Sequence, residues 1–147
     1  MPRGGRRLPE GCMELLQRAS VIVHTGDLTA ATVLEELAAL APVEAVHGNM
    51  DALELRGILP ERRVVEAEGL RVGVVHDAGP SAGRHERLAG WFPDCDLLAY
   101  GHTHLPEVAR HDEAWIVNPG SPTERRRAPG HTMAVVRDGA PVLVRLD

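Results

Sequence analysis

Four polar residues that can bind metal ions each follow a short apolar segment of this sequence. They are Asp27, Asn49, His76 and His102, and the apolar segments before them are 21–23, 43–46, 72–75 and 97–100. Successive members are 22, 27 and 26 positions apart, about one strand-helix or strand-hairpin unit each time. The carboxyl ends of strands in α/β folds meet at one edge, where these folds place their sites. Because carboxylate, amide and imidazole groups bind divalent metals, the spacing predicts a metal site at the edge of one sheet.

Glycine precedes three of these four residues, at Gly26, Gly48 and Gly101. Glycine removes side-chain bulk and permits the sharp turns that bring ligands together. His102 and His104 are two positions apart, so in extended backbone they face the same way and can chelate one metal or reach two. Oxygen and nitrogen ligands without thiolate suit manganese, iron, nickel, cobalt or zinc rather than a closed structural zinc site.

Each candidate also has a purely structural interpretation. Asp27 and Asn49 are common types of turn residue, and a single histidine such as His76 at a strand end is more often a partly buried structural residue. The pair His102 and His104 after glycine favours metal binding, and the repeated pattern extends this interpretation to the other three. We expect the remaining histidines to be structural or solvent-exposed: His24, His47, His85, His111 and His131.

The elements that must position these residues follow from apolar periodicity. Helices are predicted over 9–18, over 29–40, and from an N-cap at Ser81 to about Trp91. Hairpins are predicted at 63–67 with 70–76, at 108–111 with 114–117, and at 132–137 with 142–146. Strand-helix alternation followed by hairpins indicates an α/β fold in which two sheets form a sandwich flanked by helices.

Composition excludes several classes of function. The chain has 147 residues, is 44% hydrophobic and has a net charge of −5, which predicts one domain over 1–147 and no nucleic acid-binding surface. All 16 basic residues are arginine, so the run Arg125 to Arg127 is either a solvated loop or a weak attractor of anionic substrate. Cys12 and Cys95 lack the spacing of a disulfide framework or a thiolate site. The sequence predicts neither a signal peptide nor a membrane-spanning segment, and we expect a cytoplasmic protein without a membrane partner.

Five motifs occur in order along the chain: Gly26-Asp27, Gly48-Asn49-Met50-Asp51, His76, Gly101-His102-Thr103-His104 and Asn118-Pro119-Gly120-Ser121. Together they resemble the motifs of small bacterial and archaeal metallophosphoesterases of the calcineurin-like superfamily, over Val21 to about Arg127. The resemblance implies the metallo-dependent phosphatase fold. It also implies that Asp27 bridges two metals, that Asn49, His76 and His102 complete the second metal site, and that His104 serves the first.

The resemblance implies an enzyme, a hydrolase of a small phosphoester, with a phosphodiester as the first expectation. The nucleophile in such enzymes is a metal-bound hydroxide at a dinuclear centre, and we expect two divalent ions, with manganese first and nickel, iron, cobalt or zinc as alternatives. Asp51 is expected to orient Asn49 or another ligand. Many members carry a leaving-group histidine where this chain has Met50, which cannot donate a proton. That difference indicates the small phosphodiesterases.

One family motif has no counterpart in this sequence. Members begin with a strand that ends in Asp-x-His and lies centrally in the first sheet, and nothing before Val21 matches it. We therefore expect an N-terminally truncated domain without its first strand, through either a misplaced start codon or a real truncation. The rival function is a non-catalytic scaffold or interaction module on the same fold, as in a retromer subunit, and a weaker one is a mononuclear metal-binding protein. Retention of all four ligands of the second metal favours the enzyme.

Overall fold

The computed structural model describes residues 8–28, 31–48, 53–123 and 128–146. The helices are α1 (Glu10–Gln17), α2 (Ala31–Ala38), α3 (Leu53–Ile58) and α4 (Arg84–Trp91). The strands are β1 (Ile22–His24), β2 (Val43–Ala45), β3 (Arg62–Ala67), β4 (Leu70–Val75), β5 (Leu97–Ala99), β6 (Glu107–His111), β7 (Ala114–Asn118), β8 (Thr132–Arg137) and β9 (Ala140–Arg145). The early strand-helix alternation and the three predicted hairpins are therefore confirmed.

A five-stranded sheet of order β3-β4-β5-β7-β6 forms one layer. Its three middle strands β4, β5 and β7 run parallel, and the outer strands β3 and β6 pair with them in antiparallel hairpins. Strand β4 is buried from Val72 to Val75 because both faces of the sheet are covered, which explains why it reads as a continuous apolar run rather than an alternating one.

The two faces of this sheet pack against different partners. Leu97 and Ala99 face one side, where Val23 of β1 and Ala134 of β8 pack on them. Leu98 faces the opposite side and packs with α4, because successive side chains of a strand point to opposite faces. The pairs β1-β2 and β8-β9 thus form a second layer over the five-stranded sheet.

Helices α1 and α2 cover the outer face of the β1-β2 pair. Leu16 of α1 and Leu37 of α2 are buried with Ile22 of β1 in one hydrophobic cluster. In each helix the buried residues recur four positions apart, as Cys12 with Leu16 and Val33 with Leu37, which places them on one helical face. The layers therefore run helix, sheet, sheet, helix, as the predicted fold class requires. None of the described helices combines the length and hydrophobicity that crossing a bilayer requires.

A cleft separates β1 from β8 within the second layer. Its volume is about 710 Å³, and residues 21–25 and 132–137 line its two sides over a floor that includes Val72 and Leu97. The N–H of Ile22 donates to Pro42 O at 2.7 Å and the N–H of Val46 donates to His24 O at 3.2 Å, so the backbone groups of Val23 point away from β2 and into the cleft. Within the described residues, no strand pairs with the cleft edge of β1 or β8.

Two sequence predictions need correction, and one helix was not predicted. The four strand ends do not belong to one sheet, because β1 and β2 form a separate parallel pair. Helix α4 begins at Arg84 with Gly83 as its N-cap, so Ser81 does not cap it. Helix α3 was not predicted, because it is six residues long and two of its apolar residues, Leu53 and Ile58, are exposed, which removes the amphipathic pattern.

Candidate metal centre

Three of the predicted ligands meet where the two layers end together. Asp27 follows β1 in the second layer, and His76 and His102 follow the adjacent strands β4 and β5 of the five-stranded sheet. Nε2 of His76 lies 3.3 Å from Oδ2 of Asp27 and 3.3 Å from Nδ1 of His102. The two imidazole rings meet edge to face with their centroids 5.2 Å apart. His76 and His102 follow Asp27 by 49 and 75 positions in the sequence. In the fold, His76 contacts both Asp27 and His102.

The ring of His76 is held by the backbone of the opposite layer. Its Nδ1–H donates to the carbonyl oxygen of Thr25 at 2.8 Å, and a carbonyl oxygen can only accept a hydrogen bond. Nε2 is then the nitrogen that carries the lone pair of the neutral ring, and this atom faces Asp27 and His102. A hydrogen bond from the ring nitrogen that faces away from the metal commonly fixes the tautomer of a metal-binding histidine.

The donor atoms suit a divalent ion by type and by separation. One buried carboxylate, with Asp27 8% exposed, and two imidazoles make a mixed oxygen and nitrogen set, which suits the metals of hydrolytic centres. A separation of 3.3 Å is what two ligands about 2.1 Å from a common ion produce. Within the described residues, no three His, Cys, Asp or Glu side chains form a complete metal-binding group, so these atoms are a partial set.

The backbone at these residues is in an unusual conformation. Among the described residues with side chains, positive φ angles occur at Asp27 (62°), His102 (70°) and His104 (61°), and otherwise only in the hairpin turns, at Glu68, Asp112 and Asp138. The left-handed conformation costs an L-residue roughly 1 to 2 kcal/mol. Such backbone persists where surrounding structure enforces it, and it concentrates at functional sites.

The glycines before the candidate ligands are required by close packing, as their positions predicted. A Cβ on Gly101 would lie 2.6 Å from Oγ1 of Thr25, and a Cβ on Gly26 would lie 2.6 Å from Nδ1 of His76. A Cβ on Gly48 would collide with the side chain and the backbone nitrogen of Asp27. The strand ends approach one another so closely that only glycine fits between them.

The remaining predicted residues divide into two groups. His104 lines the same cleft as Asp27, His76 and His102. Asn49 and Asp51 lie outside the described residues, as does the arginine run at 125–127. Their roles therefore stay predictions.

His24, which was expected to be structural, contributes a backbone contact beside the site. Its Nδ1 accepts a hydrogen bond from the N–H of Gly26 at 3.0 Å, which requires an unprotonated Nδ1. Burial lowers the pKa of His24 to about 3, because a charged ring would lose its hydration there. The neutral imidazole therefore helps to hold the turn that presents Asp27.

Asn118 and Thr25 were not predicted to support the histidines. The structure places the Asn118 side chain against the loop that carries His102. Thr25 supplies the carbonyl that orients His76. A polar residue at the end of a third parallel strand was the available signal for Asn118, and backbone carbonyls such as that of Thr25 leave no signal in a sequence.

Comparison with protein families gives a match over nearly the whole chain. Residues 5–138 match the model of the calcineurin-like phosphoesterase superfamily domain. A probable metallophosphoesterase of Methanothermobacter thermautotrophicus is 35% identical over 156 aligned positions, which span 97% of this chain and 90% of that protein.

Solved structures show the same fold at lower sequence identity. Zinc-complexed wild-type Vps29 of Entamoeba histolytica matches with a TM-score of 0.74 and 23% identity, over 100% of this chain and 93% of that one. A novel archaeal phosphodiesterase matches with a TM-score of 0.72 and 20% identity, over 92% of this chain and 90% of that one.

Proposed function

Because the chain belongs to the calcineurin-like phosphoesterase superfamily, we propose that it is a metal-dependent phosphodiesterase that hydrolyses a small phosphodiester in the cytoplasm. The observation that carries this proposal is that His76 Nε2 lies 3.3 Å from Asp27 Oδ2 and 3.3 Å from His102 Nδ1. The likeness of the fold to an archaeal phosphodiesterase supports the choice of a diester.

The residues of the chain have distinct tasks in this proposal. Asp27, Asn49, His76 and His102 would hold one divalent ion, and Asp27 and His104 would contribute ligands to a second. When bound, these ions, with manganese first, would lower the pKa of bound water toward neutrality and offset the charge of the phosphoryl oxygens. The carbonyl of Thr25 keeps Nε2 of His76 directed at the site, and Asp51 would orient Asn49 or another ligand.

Met50 cannot protonate the leaving group as it departs. A thioether carries no acidic proton, so general acid catalysis from this position is absent. We expect leaving groups that are stable as anions, such as aryloxides, to be released faster than alkoxides. A comparison of aryl and alkyl phosphodiesters measures this preference directly.

The test of the proposal compares the 147-residue chain with an extended chain, in which a strand that ends in Asp-x-His, the family motif expected to bind the first metal, precedes the same sequence. With manganese and bis(p-nitrophenyl) phosphate, we expect turnover by the extended chain and little or none by the 147-residue chain. In the extended chain, His102→Ala removes one ligand and should abolish turnover while the circular dichroism spectrum is unchanged.

A matched control in the extended chain is His111→Ala, which removes an imidazole of β6 that faces Asp112 rather than the site. It should keep full activity. If His102→Ala retained the rate of the extended parent, the assignment of this site would be wrong.

A non-catalytic scaffold is the second candidate. The structural likeness to Vps29 favours it. A Vps29 structure contains zinc, so metal binding alone does not separate the two candidates. An extended chain that binds manganese, nickel, cobalt and zinc but turns over no phosphodiester would favour the scaffold.

A further inference from the structure

Asn118 ends β7 with a side chain that is completely buried, at 0% exposure. Strand β7 lies beside β5, and the N–H of Tyr100 donates to Val117 O at 3.0 Å. Asn118 is thereby placed directly next to the point where β5 gives way to the loop 101–104. A buried amide side chain at such a position must be hydrogen-bonded, because leaving it unpaired costs roughly 1 to 3 kcal/mol.

The amide of Asn118 makes three hydrogen bonds that fix its orientation. Its Oδ1 accepts from the N–H of Gly120 at 2.9 Å, and since a backbone N–H can only donate, the oxygen must be on that side. Nδ2 then points at the loop, where it donates to Oγ1 of Thr103 at 3.0 Å and to the carbonyl of Gly101 at 3.4 Å. Both of its N–H groups are used on the two neighbours of His102.

The loop that receives these bonds is the one that needs support. His102 and His104 have φ angles of 70° and 61°, a conformation that costs an L-residue roughly 1 to 2 kcal/mol. Thr103 completes the support, since its Oγ1 also accepts the N–H of Leu105 at 3.1 Å. Asn118 and Thr103 together thus brace both histidines.

We propose that Asn118 is a positioning residue that holds the loop 101–104 in the conformation that presents His102 and His104 to the metal site, acting through Thr103 Oγ1 and Gly101 O. This inference rests on the proposed metal site but concerns a residue that would touch neither metal nor substrate. It predicts that the loss of the Asn118 N–H donors loosens the loop and weakens metal binding, while the rest of the fold stays intact.

The test compares three variants of the 147-residue chain. Asn118→Asp keeps the shape and the acceptor for Gly120 but removes both donors, and Thr103→Val removes the hydroxyl with little change of volume. Thr103→Ser is the matched control, because it keeps the hydroxyl. By calorimetric titration with manganese, Asn118→Asp and Thr103→Val should each bind about 10- to 100-fold more weakly than wild type, the range known for residues that orient ligands. Thr103→Ser should bind within about twofold.

Hydrogen exchange without metal gives a readout that does not depend on the proposed function. The amides of Thr103 and Leu105 should exchange faster in Asn118→Asp and Thr103→Val than in wild type and Thr103→Ser, with exchange in β4 and β7 unchanged. Faster exchange at these amides supports the inference even if wild type binds no manganese. The lack of manganese binding would then count against the metal site alone. Unchanged exchange in both variants would overturn the role of Asn118. If wild type binds manganese, an unchanged manganese affinity in both variants would overturn it as well.

Discussion

The crowding of Gly26 against His76 allows a quantitative test of how tightly the strand ends are packed. Gly26 has a φ of 110°, and a Cβ there would lie 2.6 Å from Nδ1 and 2.9 Å from both Cβ and Cγ of His76. The nearest atoms belong to the root of a ring whose Nδ1 is held by Thr25, so the ring cannot simply rotate away. Overpacking of this kind costs about 1 to 3 kcal/mol, and the positive φ adds roughly 1 to 2 kcal/mol.

Gly26→Ala should therefore lower the free energy of unfolding by about 2 to 5 kcal/mol, measured by urea denaturation with linear extrapolation. Two other glycines separate the contributions. Gly69 has a φ of 79° with nothing within 4 Å of a Cβ, so Gly69→Ala reports the backbone cost alone, about 1 to 2 kcal/mol. Gly101→Ala reports steric crowding alone, against Thr25 Oγ1 at 2.6 Å.

The comparison of Gly26→Ala with Gly69→Ala tests how closely the strand ends are packed. If Gly26→Ala destabilises the protein no more than Gly69→Ala does, the strand ends are not packed as closely as the structure has them. The same variant should also weaken manganese binding, because a displaced His76 ring no longer directs Nε2 at Asp27.

Three further results are expected. Calorimetric titration of the chain with manganese should give one firm site and one weak or absent site, because four predicted ligands serve one ion and only Asp27 and His104 serve the other; two equally tight sites would contradict this assignment. The folded-state pKa of His24, about 3, lies below its ordinary value of 6.5, so the unfolded chain gains a proton below pH 6.5 that the folded chain does not. The free energy of unfolding should therefore fall by about 1 to 2 kcal/mol between pH 7 and pH 5, and His24→Gln should lose this component of the pH dependence measured by urea denaturation. Finally, a strand of about ten residues fused before Met1 should raise the urea midpoint, because Val23 and Ala134 are only half-buried and each backbone hydrogen bond that replaces a bond to water there adds about 0.5 to 1.5 kcal/mol net. An Ala-x-Ala ending in place of Asp-x-His should keep the stability and remove turnover, and an unchanged midpoint would show that the added strand does not enter the cleft.

The local patterns of this sequence predicted most of the secondary structure and three of the residues that meet where the strands end. Apolar runs ending in Asp27, His76 and His102 predicted β1, β4 and β5, because a strand between two covered faces must be apolar throughout. Gly26 and Gly101 signalled close approach, and the structure shows which atoms make it close. Short elements without a clear amphipathic face, such as α3, left no comparable pattern.

The tertiary structure alone decided how the strand ends meet. The sequence placed them on one sheet, but Asp27 arrives from the β1-β2 pair and the two histidines from the five-stranded sheet, because pairing between distant strands depends on contacts across the chain that no local pattern records. The same holds for the tautomer of His76, which Thr25 O selects, and for Asn118, whose amide reaches back 15 residues to Thr103. Residue types determine which chemistry is available to the chain, whereas the packing of two separate layers determines which of those residues come within bonding distance.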